Sequence, residues 1–74
     1  MIKLNQVIKE ALKKKTGDRF EIKDLFTGYD WGQETAQNRK DLGREFANYV
    51  RGNGSKDFKL IYRKSDNHKV YERL

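Results

Sequence analysis

The 74-residue chain has no cysteine and no proline. Without cysteine there is no disulfide framework and no thiolate metal site. It has one histidine, His68, so no pair of imidazoles is available to hold a metal. It has no apolar run near the ~20 residues that a membrane span requires. The opening residues alternate apolar side chains with Lys, Asn and Gln, and they lack the apolar core of a signal peptide. These absences lead us to expect a soluble, cytoplasmic protein. A second domain does not fit in this length, so residues 1–74 are expected to form one.

What is present is charge and large apolar side chains. Charged residues make up 38% and hydrophobic residues 35%, with four Phe, four Tyr and one Trp. The apolar positions are periodic, which argues against disorder. A domain this small buries only roughly 60% of the surface its unfolded chain exposes. Most aromatic side chains are therefore needed for the core, and little room remains for a deep substrate pocket. The net charge is +6 and is unevenly placed. Residues 1–15 carry five Lys against one Glu, whereas residues 16–34 carry two cations against five carboxylates. Residues 56–74 carry six cations against three carboxylates. A basic balance suits polyanionic partners, nucleic acid first among them, although it also serves solubility.

Leu4, Val7, Ile8, Ala11 and Leu12 follow the spacing of one helix face and predict a helix over 3–15. Lys13, Lys14 and Lys15 fall in its last turn and Gly17 ends it. Phe20 and Ile22 alternate with Arg19, Glu21 and Lys23, which predicts a short strand at 19–22. Ile22, Leu25 and Phe26 then predict a short helix at 23–27, with a turn region from Gly28 to Glu34. Thr35 caps a third helix over 35–51, with Leu42, Phe46, Tyr49 and Val50 on its apolar face. Gly52, Asn53 and Gly54 stop it. Phe58, Leu60 and Tyr62 begin a β-hairpin of 57–64 and 69–73, turning through Ser65–His68. On the returning strand Val70 and Leu74 are expected on one face and Tyr71 on the other.

Three helices, a short strand and a C-terminal hairpin give the element order of an α+β fold, a small winged helix-turn-helix-like domain. In that arrangement the third helix enters the DNA major groove and the hairpin is a wing beside it. Stepping ~100° per residue from Leu42 places Gln37, Lys40, Arg44, Asn48 and Arg51 between ~160° and ~240°, opposite the apolar face. No acid lies in that stripe; Asp41 and Glu45 fall on its flank. Arg grips guanine or phosphate, and Asn or Gln pairs with adenine. A polar stripe is also what any amphipathic helix turns to water. At the hairpin tip Arg63, Lys64, His68 and Lys69 cluster, where Arg63, Lys64 and Lys69 would meet the phosphate backbone. Lysines on edge strands also guard against aggregation.

Three blocks then carry a resemblance. They are Phe20-Glu21-Ile22-Lys23-Asp24-Leu25-Phe26-Thr27-Gly28-Tyr29-Asp30-Trp31, Arg39-Lys40-Asp41-Leu42-Gly43-Arg44-Glu45-Phe46, and Asn67 with Tyr71 in the hairpin. Together they resemble a family of short bacterial and phage-associated domains of unknown function, over roughly residues 20–73. The resemblance implies a small protein from a bacterium or its mobile elements and transfers no catalytic or binding residue. Leu25, Phe26, Trp31, Leu42 and Phe46 read as one shared core, with Trp31 as its lid. Gly43, in the middle of a helix, costs ~1 kcal/mol against Ala, and a close helix contact or backbone approach would account for it.

Catalytic chemistry is not legible. His68 has no second ligand or nucleophile beside it, and Ser55 and Ser65 have no base. Asp24, Asp30 and Glu34 are expected to solvate the acidic middle or to pair with the lysine-rich first helix. Gly52-Asn53-Gly54-Ser55-Lys56 lacks the spacing and context of a phosphate-binding loop. We therefore expect a protein that is not an enzyme and has no cofactor and no metal. The leading expectation is a double-stranded DNA-binding protein, a small transcriptional or mobile-element accessory regulator. The alternative is a protein-protein interaction module on the same fold, using an aromatic patch near Tyr29, Trp31 and Tyr71. Single-stranded nucleic acid is a third option that needs exposed aromatics. Neither membrane attachment nor a particular oligomeric state is read from the sequence. Four to six phosphate contacts would give a log–log salt slope of about −3.6 to −5.4.

Overall fold

The computed structural model describes residues 1–65 and 68–74; Asp66 and Asn67, the middle of the expected turn and part of the third block, lie outside the described residues. The elements run α1 (Leu4–Leu12), β1 (Arg19–Phe20), a 3-10 helix (Ile22–Leu25), α2 (Gly28–Gly32), α3 (Ala36–Arg51), β2 (Phe58–Arg63) and β3 (Lys69–Arg73). The three strands form one antiparallel sheet in the order β1-β3-β2. The architecture is α+β, in the element and strand order of a small winged-helix-like domain.

The first helix ends earlier than its lysines suggest. Lys13 N donates to Glu10 O and Lys14 N to Ala11 O, so its end tightens into short-range turns. Gly17 does not cap α1. It sits at φ 92° in the turn that leads into β1, where its N–H donates to Arg73 O at 2.7 Å.

The largest correction concerns residues 28–34, expected as a turn. They contain α2, because Thr27 is a working N-cap: its Oγ1 accepts from Asp30 N at 3.0 Å. Trp31 on α2 then stacks on Phe26, with ring centroids 6.2 Å apart and planes 7° apart. The cap and this packing outweigh the two glycines. The short helix expected at 23–27 is the 3-10 helix instead, with Asp24 Oδ2 accepting from Glu21 N. The third helix starts as expected, since Thr35 Oγ1 accepts from Asn38 N at 3.0 Å.

The core joins every layer. Val7 and Ala11 of α1, Phe20 of β1, Ile22 of the 3-10 helix, Leu42, Phe46 and Val50 of α3, Phe58 of β2 and Tyr71 of β3 are all buried. Leu25, Phe26 and Trp31 pack against this cluster but are half-buried, so the five-residue core read from the blocks is only partly its centre.

On β3 both Val70 and Tyr71 are buried, Tyr71 within the central cluster and Val70 outside it, as alternation along the strand predicts, and Leu74 is exposed. The ladder between β2 and β3 is irregular: Leu60 pairs with Tyr71, and Tyr62 pairs with Val70, so Ile61 is the extra residue. The same shift sets Lys69 opposite Arg63. Past α3 the chain needs Gly54, whose added Cβ would stand 2.3 Å from Tyr49 Cε2.

Candidate functional site

The sequence-nominated side chains separate into groups once the fold is formed. On α3, Asp41 reaches round from the flank. Its Oδ1 accepts from Gln37 Nε2 at 3.0 Å and from Arg44 Nη2 at 3.2 Å. Two of the five expected reading residues are thus held by an acid of their own helix. Lys40, Asn48 and Arg51 are exposed on α3.

The hairpin divides in the same way. Lys64 Nζ donates to Glu21 Oε2 at 2.9 Å, and His68 Nδ1 lies 2.9 Å from Glu21 Oε1. These contacts fasten the hairpin tip to the segment leading into the 3-10 helix. Arg63 stays exposed and Lys69 is half-buried. Burial, and then the charges of Arg63 and Arg51, hold the Lys69 ammonium below its ordinary pKa. The end of α3 and the base of the hairpin tip therefore bring three cations together. None of Arg51, Arg63 and Lys69 has a carboxylate partner among the described residues.

Between α3 and the hairpin lies a cleft of about 470 Å³. Arg39, Lys40 and Gly43 form its α3 wall, and His68, Lys69 and Tyr71 its hairpin wall. Glu21, Ile22 and Lys23 close one end beside Trp31. Arg39 is held over the Trp31 ring at 5.6 Å and donates from Nη2 to Trp31 O at 2.8 Å. Its Nε is buried with no partner among the described residues, and so is the Tyr71 hydroxyl. Burial pushes the Tyr71 phenol up to about 12, so it remains a neutral O–H donor near pH 7. Among the described residues, no atom other than those of its chain neighbours and of the helix's own backbone lies within 4 Å of where a Cβ on Gly43 would stand, so no close contact there explains that glycine.

Sequence reasoning missed Arg39, Tyr71 and Glu21. Arg39 had a signal: it falls near ~60° on the same ~100° wheel, a charge inside the apolar sector. Tyr71 had been named only for an exposed aromatic patch, and Glu21 had no local signal. Of the proposed aromatic patch, Tyr29 is 76% exposed but Trp31 is half-buried and Tyr71 is fully buried, so the three form no shared surface. Of the acids in the middle of the chain, Glu34 accepts from Ile2 N and from Asn38 Nδ2, fastening the N-terminal segment to α3. Those two bonds, Ile2 first, hold its pKa below the ordinary value.

Glu21 gives a pH prediction. Its bond from Lys64, then that with His68 and the nearby Lys23 and Lys64 charges, outweigh burial and keep its pKa below the ordinary value. A carboxyl that titrates lower in the folded state contributes stability above the unfolded value, about 4.3. That contribution is lost as pH falls through the folded value. Thermal melts of wild type and Glu21→Gln from pH 7 to pH 3 should therefore differ at neutral pH and converge in acid. Curves that stay parallel would refute the role of this tie.

Among the described residues no group of three His, Cys, Asp or Glu is placed to hold a metal, and no helix is long and apolar enough to cross a membrane. No curated protein matches the sequence. A solved structure described as the SCCmec type IV LP1413 nucleic acids binding protein is similar in fold, with a TM-score of 0.71 at 18% identity, covering 96% of this chain and 87% of that one. A family model matches residues 5–73, nearly the whole fold described above, and on that match the chain belongs to the family of domains of unknown function DUF1413.

Proposed function

We propose that this protein binds nucleic acid, with duplex DNA as the target, through a face made by the outer side of α3 and the hairpin. The observation that carries the reading is the convergence of Arg51, Arg63 and Lys69 without a carboxylate partner among the described residues. Bringing like charges together costs free energy unless an anion neutralises them. Lys40 extends the same cationic face along α3.

Contacts to phosphate dominate in this reading. Gln37 and Arg44 are engaged by Asp41, which leaves Asn48 as the side chain freest to read a base edge. The description of the fold neighbour as a nucleic acids binding protein agrees with the reading. A non-enzymatic role as a small transcriptional or mobile-element accessory regulator is the form we favour.

The test is an amide titration of labelled protein with a generic duplex at low and physiological salt. Salt-sensitive shifts at residues 40–51 and 63–69 are expected. A well-dispersed spectrum without shifts would overturn the reading and favour a protein-interaction module. Shifts and Trp31 quenching with single strands alone would overturn the choice of duplex.

A further inference from the structure

The cleft between α3 and the hairpin holds two features that the proposed nucleic-acid face does not use, and a third, its charge, that the two share. Gly43 keeps its α3 wall bare although the surrounding protein leaves room for a side chain. A glycine in a helix interior is unfavourable, so a bare wall with space above it suits close approach by something outside the chain. The second feature is a pair of buried hydrogen-bond donors, Arg39 Nε and the Tyr71 hydroxyl, neither with an acceptor among the described residues. Buried donors in native proteins are normally satisfied, and an orphan in a cleft wall indicates a missing acceptor. The third is the charge. Lys40 and Lys69 lie on opposite walls, and Arg51 and Arg63 add their charges to Lys69. The carboxylate in the cleft, Glu21, is already engaged by Lys64 and His68.

We propose that this cleft is a phosphate site, in which Lys69 and Lys40 supply charge, the Tyr71 hydroxyl and Arg39 Nε donate hydrogen bonds, and Gly43 gives clearance over α3. The ligand needs several acceptor oxygens and negative charge, because the side-chain groups left unused among the described residues lining the cleft are donors or cations. A carboxylate offers fewer acceptors, and a neutral ligand leaves Lys69 uncompensated. The two donors lie at the cleft wall beneath the surface, so binding draws them toward the ligand by a small side-chain adjustment. A phosphodiester of bound DNA and a free phosphate group share this chemistry. As a seat for a DNA phosphate the site rests on the nucleic-acid reading above; as a phosphate site it stands without it.

The probe is inorganic phosphate, titrated into labelled protein against sodium chloride of equal ionic strength. Saturable amide shifts at Gly43, Lys69 and Tyr71 are expected with phosphate and not with chloride. Tyr71→Phe removes a hydroxyl without a partner among the described residues, and Gly43→Leu fills the open wall. Both should keep a dispersed spectrum and weaken phosphate about five-fold or more, the effect of one lost hydrogen bond. Shifts that stay linear, or that match chloride, overturn the site. So does unchanged phosphate affinity in both folded variants.

Duplex binding by Gly43→Leu then separates the two sources. A loss of about five-fold or more against wild type supports a DNA phosphate in the cleft. Unchanged duplex affinity with phosphate binding abolished supports a site for a free phosphate group. If duplex produces no shift in wild type, the nucleic-acid reading fails, and the phosphate titration still decides the site.

Discussion

Phe46→Ala is expected to leave most of the chain unfolded at physiological temperature. Phe46 is fully buried at the middle of α3. Its ring lies 4.8 Å from Tyr71 in an edge-on contact, 5.4 Å from Phe58, 6.2 Å from Tyr49 and 6.3 Å from Phe20. It therefore touches β1, β2 and β3 at once, and no neighbour can fill its place without abandoning another contact. Truncating a buried Phe costs about 3–5 kcal/mol. The core of a domain this small supplies about the same amount in total. Thermal unfolding followed by circular dichroism checks the expectation. Tyr29→Ala, at an exposed ring, is the control and should fall within about 0.5 kcal/mol of wild type. A Phe46→Ala protein that melts cooperatively within a few degrees of wild type would contradict the described core.

The parts of the fold that were legible in the sequence are those set by local periodicity and capping. α3 is one: Leu42, Phe46 and Val50 point inward, and Thr35 caps the start. The hairpin is another, since apolar and polar residues alternate in the sequence of residues 58–63 and the turn after them is polar. The parts that were not legible depend on contacts distant in sequence. α2 follows from a cap at Thr27 together with the stacking of Trp31 on Phe26, and its two glycines obscured both. The extra residue Ile61 in β2 follows from the register with β3, which no pattern in one strand alone discloses.

The same distinction applies to the candidate site. Helical spacing placed Lys40, Asn48 and Arg51 on the outer side of α3, where they are. It also placed Asp41 on the flank, but a side-chain carboxylate reaches sideways, and this one engages both Gln37 and Arg44. The tip side chains Lys64 and His68 are drawn to Glu21, more than forty residues earlier in the chain. The meeting of Arg51 with Arg63 and Lys69 belongs to tertiary packing alone. Charge counting therefore overstated how many cations of the proposed face are available.

That difference sharpens the central expectation, the salt dependence of duplex binding. Each phosphate contact contributes about −0.9 to the slope of log K against log salt. Lys40, Arg51, Arg63 and Lys69 are the cations of the proposed face without an acidic partner among the described residues. Four such contacts give a slope of about −3.6, and recruiting Arg44 and Lys64 would steepen it to about −5.4. Because those two are engaged by Asp41 and Glu21, the shallower value is expected. It corresponds to a loss of affinity on the order of 10²-fold between 50 and 200 mM salt.

The deciding measurement is therefore the affinity for a fluorescently labelled duplex, by anisotropy, across that salt range. It should be made on wild type and on a variant carrying Arg51→Ala and Arg63→Ala, both at exposed positions. The account predicts a slope of about −3.6 for wild type and about −1.8 for the variant, with weaker binding at every salt. A wild-type slope indistinguishable from zero, or a variant that binds as wild type does, would contradict it.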